Sequence, residues 1–155
     1  MVNNIKRVKS KELIPAIENM LAKGTIIKLT VTGNSMYPFL REGIDSVELS
    51  PARFNNLRRG DIALARRDDG QYVLHRIFRK RGNSLFLLGD AQQLVEGPLL
   101  SEQVIAVVIS VWRKDKVRDC SSLGWRVLSA LWMRLRPFRT YIIYIYITLR
   151  KWTKY

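Results

Sequence analysis

Apolar positions recur along this chain in two rhythms. Leu13, Ile14, Ile17, Met20 and Leu21 fall three and four residues apart, the spacing of one face of a helix. Ser10 stands where it can cap that helix, Pro15 falls in the tolerated first turn, and Gly24 closes the element. The rhythm then shortens to two. Residues 25–31 are rich in β-branched side chains and predict a strand. Further strands are predicted over 46–49, 62–66, 72–78, 84–88 and 104–112. Turn residues separate them: Pro51 with Asn55-Asn56, then Asp68-Asp69-Gly70, then Arg81-Gly82-Asn83. Many short strands joined in this way predict a mainly β, coiled and mostly antiparallel structure. No internal repeat or low-complexity tract interrupts it.

The last segment returns to the helical rhythm. Trp125, Leu128, Leu131, Trp132 and Leu135 form one stripe, with Arg126, Ser129 and Arg136 off it. Pro137 breaks or kinks the helix. Phe138, Tyr141, Ile142, Ile145, Leu149 and Trp152 make a second stripe. No acid follows Asp119, whereas Arg126, Arg134, Arg136, Arg139, Arg150, Lys151 and Lys154 accumulate. The apolar run 141–147 is too short to span a bilayer, which takes about 20 residues. Two expectations stand side by side: residues 125–155 lie on an anionic membrane surface, or they dock on the core or on a partner.

Composition narrows the class. A chain of 155 residues that is 47% hydrophobic can bury one core. Its expected organisation is a basic segment with a short helix (1–24), a β domain (25–113) and a basic amphipathic tail (114–155). The net charge of +14 implies an anionic partner. One cysteine, Cys120, excludes an internal disulfide and gives no metal-site spacing, so neither metal nor cofactor is expected. Residues 1–11 are polar and basic, without the apolar stretch of a signal peptide or anchor. The expected location is therefore cytoplasmic or peripheral on a membrane.

Candidate chemistry centres on Thr32-Gly33-Asn34-Ser35-Met36-Tyr37-Pro38-Phe39-Leu40. Gly33-Asn34 is a small-residue turn that presents the Ser35 hydroxyl. Met36, Phe39 and Leu40 can anchor the segment, and Pro38 stops it from running on as a strand. A loop of this kind holds one polar atom rigidly above an apolar floor, as a nucleophile requires. His75 is the one histidine of the chain, and it shares a strand face with Val73 and Ile77. Such a histidine is ordinarily structural, but it could also be a base.

Gly33-Asn34-Ser35-Met36-Tyr37-Pro38-Phe39-Leu40 resembles the nucleophile box of the signal peptidases and LexA-like serine peptidases, small-x-Ser-Met-x-Pro-x-Leu. Arg59-Gly60-Asp61-Ile62-Ala63 is similar to the Gly-Asp strand start that precedes the general base in that group. Tyr72-Val73-Leu74-His75-Arg76-Ile77 resembles the base segment. It has His before Arg, as in the branch found in the endoplasmic reticulum, archaea and some Gram-positive bacteria. Leu87-Leu88-Gly89-Asp90 is similar to that branch's Gly-Asp box. The resemblance runs from about Thr25 to about Trp112. Gly43-Ile44-Asp45 departs from it, since Gly and Asp are usually adjacent there, and a local bulge is expected.

The resemblance implies the LexA/signal-peptidase-like β fold and an acyl transfer. Ser35 attacks a peptide carbonyl, His75 takes its proton, and Asp90 orients His75. An alternative reading of Asp90 is a plain turn aspartate. Glu96 lies near where this branch often has a second acid, yet it reads better as a solvated loop residue. The Ser35 N–H is the expected oxyanion donor, with Gly33 or the Asn34 side chain assisting. The expected substrate is a peptide or protein bound as an added strand, leader-like by resemblance. Two other classes compete. A LexA-like regulator would need a helix-turn-helix, and residues 1–30 hold one good helix. A nucleic-acid module driven by charge alone would lack any recognisable motif, so nucleic acid is disfavoured as a partner.

Overall fold

The computed structural model describes residues 10–152, with the side chains of 10–14 and 151–152 outside that description. The expectations placed on the basic start and on Lys154, and those on the side chains of Ser10, Leu13, Ile14, Lys151 and Trp152, lie outside that description. The elements are α1 (Ser10–Ala22), β1 (Ile27–Thr30), β2 (Asp45–Pro51), β3 (Ile62–Arg66), β4 (Tyr72–Arg81), β5 (Ser84–Leu88), β6 (Glu96–Leu100), β7 (Val104–Arg113), β8 (Lys116–Asp119), α2 (Leu123–Arg134) and α3 (Arg139–Trp152).

All eight strands join one antiparallel sheet in the order β1-β2-β7-β3-β4-β5-β6, with β8 also pairing β7. The mainly β expectation holds, with a short helix before the sheet and helices after it. β3 shows why the sheet is filled on both sides. Ile62 and Leu64 enter one apolar cluster with Val47, Leu49 and Val108, while Ala63 and Ala65 enter another with Val73, Ile77 and Leu87. α1 closes the first cluster through Ile17 and Leu21, each burial contributing about 1.5–3 kcal/mol.

Two strands go beyond the predicted set. β6 contains Gly97-Pro98, residues that argue against a central strand but are admissible at an edge, and β6 is the last strand of the path. β8 is exposed at every position and so has no apolar alternation to betray it. The bulge expected around Gly43-Ile44-Asp45 is instead a turn with Gly43 at φ 67°. The register of β2 shifts later, between Glu48 and Leu49.

The helical tail docks with a face that keeps Trp125 and Trp132 of the predicted stripe but not its leucines. Ser129, Trp132 and Met133 are buried on α2, whereas Leu128, Leu131 and Leu135 are exposed. Ser129 was expected to point away. It turns inward because its hydroxyl accepts from the buried Arg76 guanidinium at 2.9 Å. Arg139 also leaves the exposed basic set. Its guanidinium is buried and donates to the carbonyls of Trp132 and Gly89.

Candidate active site

The Ser35 loop is fixed from three directions. Gly33 takes φ 79°, a left-handed conformation that a side chain would disfavour. The Tyr37 N–H donates to the Asn34 carbonyl and the Leu40 N–H to the Met36 carbonyl, while Met36 and Leu40 sink into the core. At the far end of the loop, Arg113 on β7 pairs with the fully buried Asp45 and donates to the Phe39 carbonyl at 3.0 Å. Pro38 and Phe39 are half-buried, and the Phe39 ring packs against both Trp125 and Trp132 of α2.

From below, the turn after β5 supports Ser35 itself. The Ala91 N–H donates to the Ser35 carbonyl at 2.8 Å. A Cβ added at Gly89 would stand 2.8 Å from that same carbonyl oxygen. Glycine is therefore what lets the Gly89-Asp90 turn slide under the loop. The Ser35 side chain remains half-buried and faces β4.

His75 lies in the middle of β4, opposite Ala63, whose small side chain leaves room for the ring. Its Nε2 is 3.1 Å from the Ser35 Oγ. The structure thus brings together two residues 40 positions apart in the chain. Both line a cavity of about 220 Å³, together with Val31, Thr32, Gly33, Tyr72 and Leu74.

Asp90 is not beside His75. It is fully buried and takes both Nε and Nη2 of Arg76, at 2.8 and 2.7 Å. The physical reason is strand alternation: Arg76 points to the opposite face from His75, and Asp90 meets it there. Arg76 also donates to the Gly60 carbonyl and lies 4.7 Å over the Phe39 ring. Gly60, at φ 96°, turns the chain into β3 at that point.

The carboxylate that does reach His75 is Glu96. It is the first residue of β6 rather than a solvated loop residue, and its side chain is 18% exposed. Its Oε1 is 3.0 Å from Nδ1. The pair is within ion-pair range but lacks the alignment of a full hydrogen bond. Arg67 grips the same carboxylate with Nε at 2.8 Å and Nη2 at 2.6 Å. Arg67 carried no sequence signal. It sits beside an ordinary Asp68-Asp69-Gly70 turn, and only the pairing of remote segments gives it a role. The Asn34 side chain is also engaged elsewhere, its amide donating to Glu42 at 3.1 Å.

The electrostatics suit a base. Burial lowers the His75 pKa below the ordinary value of 6.5, the Glu96 charge opposes that, and the Arg67 charge adds to it. The imidazole is therefore neutral at neutral pH. With its proton on Nδ1, facing the carboxylate, Nε2 offers a lone pair to the Ser35 hydroxyl. Burial by itself pushes the Glu96 carboxyl up, but the Arg67 hydrogen bonds and the charges of His75 and Arg67 hold it below the usual range. It stays ionised where His75 needs it. Cys120 is no rival nucleophile, because burial pushes its thiol up to about 12.

Such an arrangement can deprotonate a hydroxyl, store the proton on the imidazole and stabilise the resulting cation with a fixed carboxylate. No curated protein matches the chain. Residues 3–109 match the model of a family described as Peptidase S24-like. The match takes in the Ser35 loop, all of β4 and Glu96 and stops before α2; the chain belongs to the Peptidase S24-like family.

Proposed function

We propose that this chain is a serine endopeptidase of signal-peptidase type, with Ser35 as nucleophile and His75 as general base. The observation that carries the reading is the 3.1 Å approach of Ser35 Oγ to His75 Nε2. It lies within the reach needed for proton transfer.

In the first step the Ser35 Oγ forms a bond to the carbonyl carbon of the scissile peptide, and its proton passes to His75 Nε2. Glu96, held by Arg67, stabilises the imidazolium. The Ser35 N–H supports the oxyanion, while the Asn34 side chain, tied to Glu42, does not take part. The imidazolium then gives its proton to the leaving amine as the C–N bond breaks. Water, deprotonated by the same imidazole, releases the acyl group and restores Ser35. The substrate runs extended between residues 32–34 and β4, along the cavity of about 220 Å³ that Ser35 and His75 line, with small side chains at the cut as the resemblance implies. A leader-like peptide satisfies that description.

The test is exposure of a complex peptide library to the purified chain, with new termini read by mass spectrometry. Wild type should cut after small residues. Ser35→Ala and His75→Ala should each lose at least about 10³-fold while the fold stays intact. Equal cleavage by Ser35→Ala would overturn the assignment. Cleavage confined to the chain itself would place it with self-cleaving LexA-like regulators.

A further inference from the structure

α2 and α3 leave a large apolar surface uncovered after they have docked. On α2 the docked side is Trp125, Ser129, Trp132 and Met133, and a second stripe faces solvent: Leu123, Val127, Leu131 and Leu135, every fourth residue. On α3, Arg139, Ile142, Ile143 and Tyr146 face inward to varying degrees, while Tyr141, Tyr144, Ile145 and Leu149 are exposed. Tyr141 and Tyr144 are 70% and 72% accessible. Among the described residues, most of the large apolar side chains left in solvent lie on these two helices.

Beneath α2 is a cavity of about 580 Å³ lined by neither Ser35 nor His75. Four exposed arginines line it: Arg58 and Arg59 before β3, and Arg126 and Arg134 on α2. Asp61 is the one acidic residue among its walls. Leu123 and Val127 of the exposed stripe border the same cavity. A cationic recess thus opens beside an apolar ridge.

We infer that α2 and α3 form a docking face for an anionic lipid bilayer, in which the Arg58/Arg59/Arg126/Arg134 recess receives lipid headgroups and the exposed Leu, Ile and Tyr side chains enter the interface. Charge selects this occupant. The chain carries +14 and has no acid after Asp119, so two copies set face to face would repel. Apolar, aromatic and arginine side chains together match a headgroup–acyl boundary. No helix among the described residues is long and apolar enough to cross a membrane, so the helices lie on the bilayer. Tyr146 of α3 meets the Tyr37 ring and accepts from Arg41, both on the segment that follows Ser35. The bilayer would therefore sit at a fixed place relative to the Ser35 cleft.

Flotation with vesicles tests this, using the full chain and its Ser35→Ala variant so that lipid binding is read independently of peptidase activity. Both should float with phosphatidylcholine vesicles containing phosphatidylglycerol, stay behind with phosphatidylcholine alone, and release as salt rises. Arg126→Glu with Arg134→Glu should weaken binding at least about tenfold. Leu131→Glu with Tyr144→Glu should do the same, with melting temperatures unchanged because these side chains are exposed. Wild-type flotation by either pair, or no flotation by the native chain, overturns the inference. So would a stable dimer that either pair dissolves, or soluble glycerol phosphate saturating the recess while no vesicles are bound.

Discussion

Glu96 Oε1 lies 3.0 Å from His75 Nδ1, and Arg67 grips both oxygens of the same carboxylate, its Nη2 sharing Oε1 with the imidazole. Glu96 and Arg67 act on the imidazole with opposite signs: the carboxylate raises its pKa and the guanidinium lowers it. The proposed mechanism needs His75 neutral in the free chain, so the acid limb of kcat/KM should report this pKa. Burial places that limb below about 6.5 in wild type. Glu96→Gln should cut kcat/KM by about 10²-fold and move the limb to lower pH. Arg67→Ala should move it to higher pH. A pH–rate profile of both variants checks this, and shifts in the same direction would remove Glu96 and Arg67 from the positioning role.

Asp90 should behave as a structural residue. Its partner Arg76 is fully buried, as it is itself, and Arg76 also holds Gly60 and Ser129. Removing one member of a buried pair leaves an uncompensated charge, at a cost of about 3–5 kcal/mol. Asp90→Ala should destabilise by that amount in a denaturant melt. Arg76→Met combined with Asp90→Leu should recover part of the loss, because neither charge is then buried alone. If the double variant were less stable than both single variants, the pair would not be the reason for the loss.

Gly89→Ala probes the support under Ser35. The added Cβ would meet the Ser35 carbonyl oxygen at 2.8 Å and the Gln92 side chain at 2.5 Å. Gln92 can swing away, but a backbone oxygen moves only with its loop. The expected stability cost is about 1–3 kcal/mol. The activity cost should be larger in proportion, about 10²-fold, since a displacement near 1 Å spoils the attack geometry. Turnover compared with the thermal melt separates the two. An unchanged kcat would mean that the loop position is less demanding than the packing implies.

Most of the scaffold was legible because its signals are local. The strands at Ile62–Arg66 and Ser84–Leu88 coincide with the predicted ranges, since alternation and turn residues bound them on both sides. The Ser35 loop was legible for the same reason. What escaped is whatever depends on a remote partner. Glu96 and Arg67 are polar residues near turns until β6 closes against β5 and brings them to β4. Ser129 and Arg139 read as surface residues until Arg76 and the Gly89 and Trp132 carbonyls draw them inward. The α2 stripe was misjudged because apolar periodicity marks an amphipathic helix without saying which apolar side the protein keeps for itself.

The same buried histidine makes stability depend on pH. The folded-state pKa of His75 is lowered, so below about 6.5 the unfolded chain binds a proton that the folded chain resists. Stability should therefore be full above that value and fall as pH drops from about 6.5 toward the folded-state pKa. Glu96 acts with the same sign at lower pH, because its folded-state pKa also lies below its ordinary 4.5. Its contribution is present above that value and lost as pH falls through the folded pKa. The melting temperature of wild type should decline in two stages on acidification. His75→Gln should lack the first stage and keep the second. Identical curves for the two proteins between pH about 6.5 and 5 would mean that His75 is as readily protonated in the folded chain as in the unfolded one. The neutral imidazole that the proposed proton transfer from Ser35 requires would then not be secured by burial.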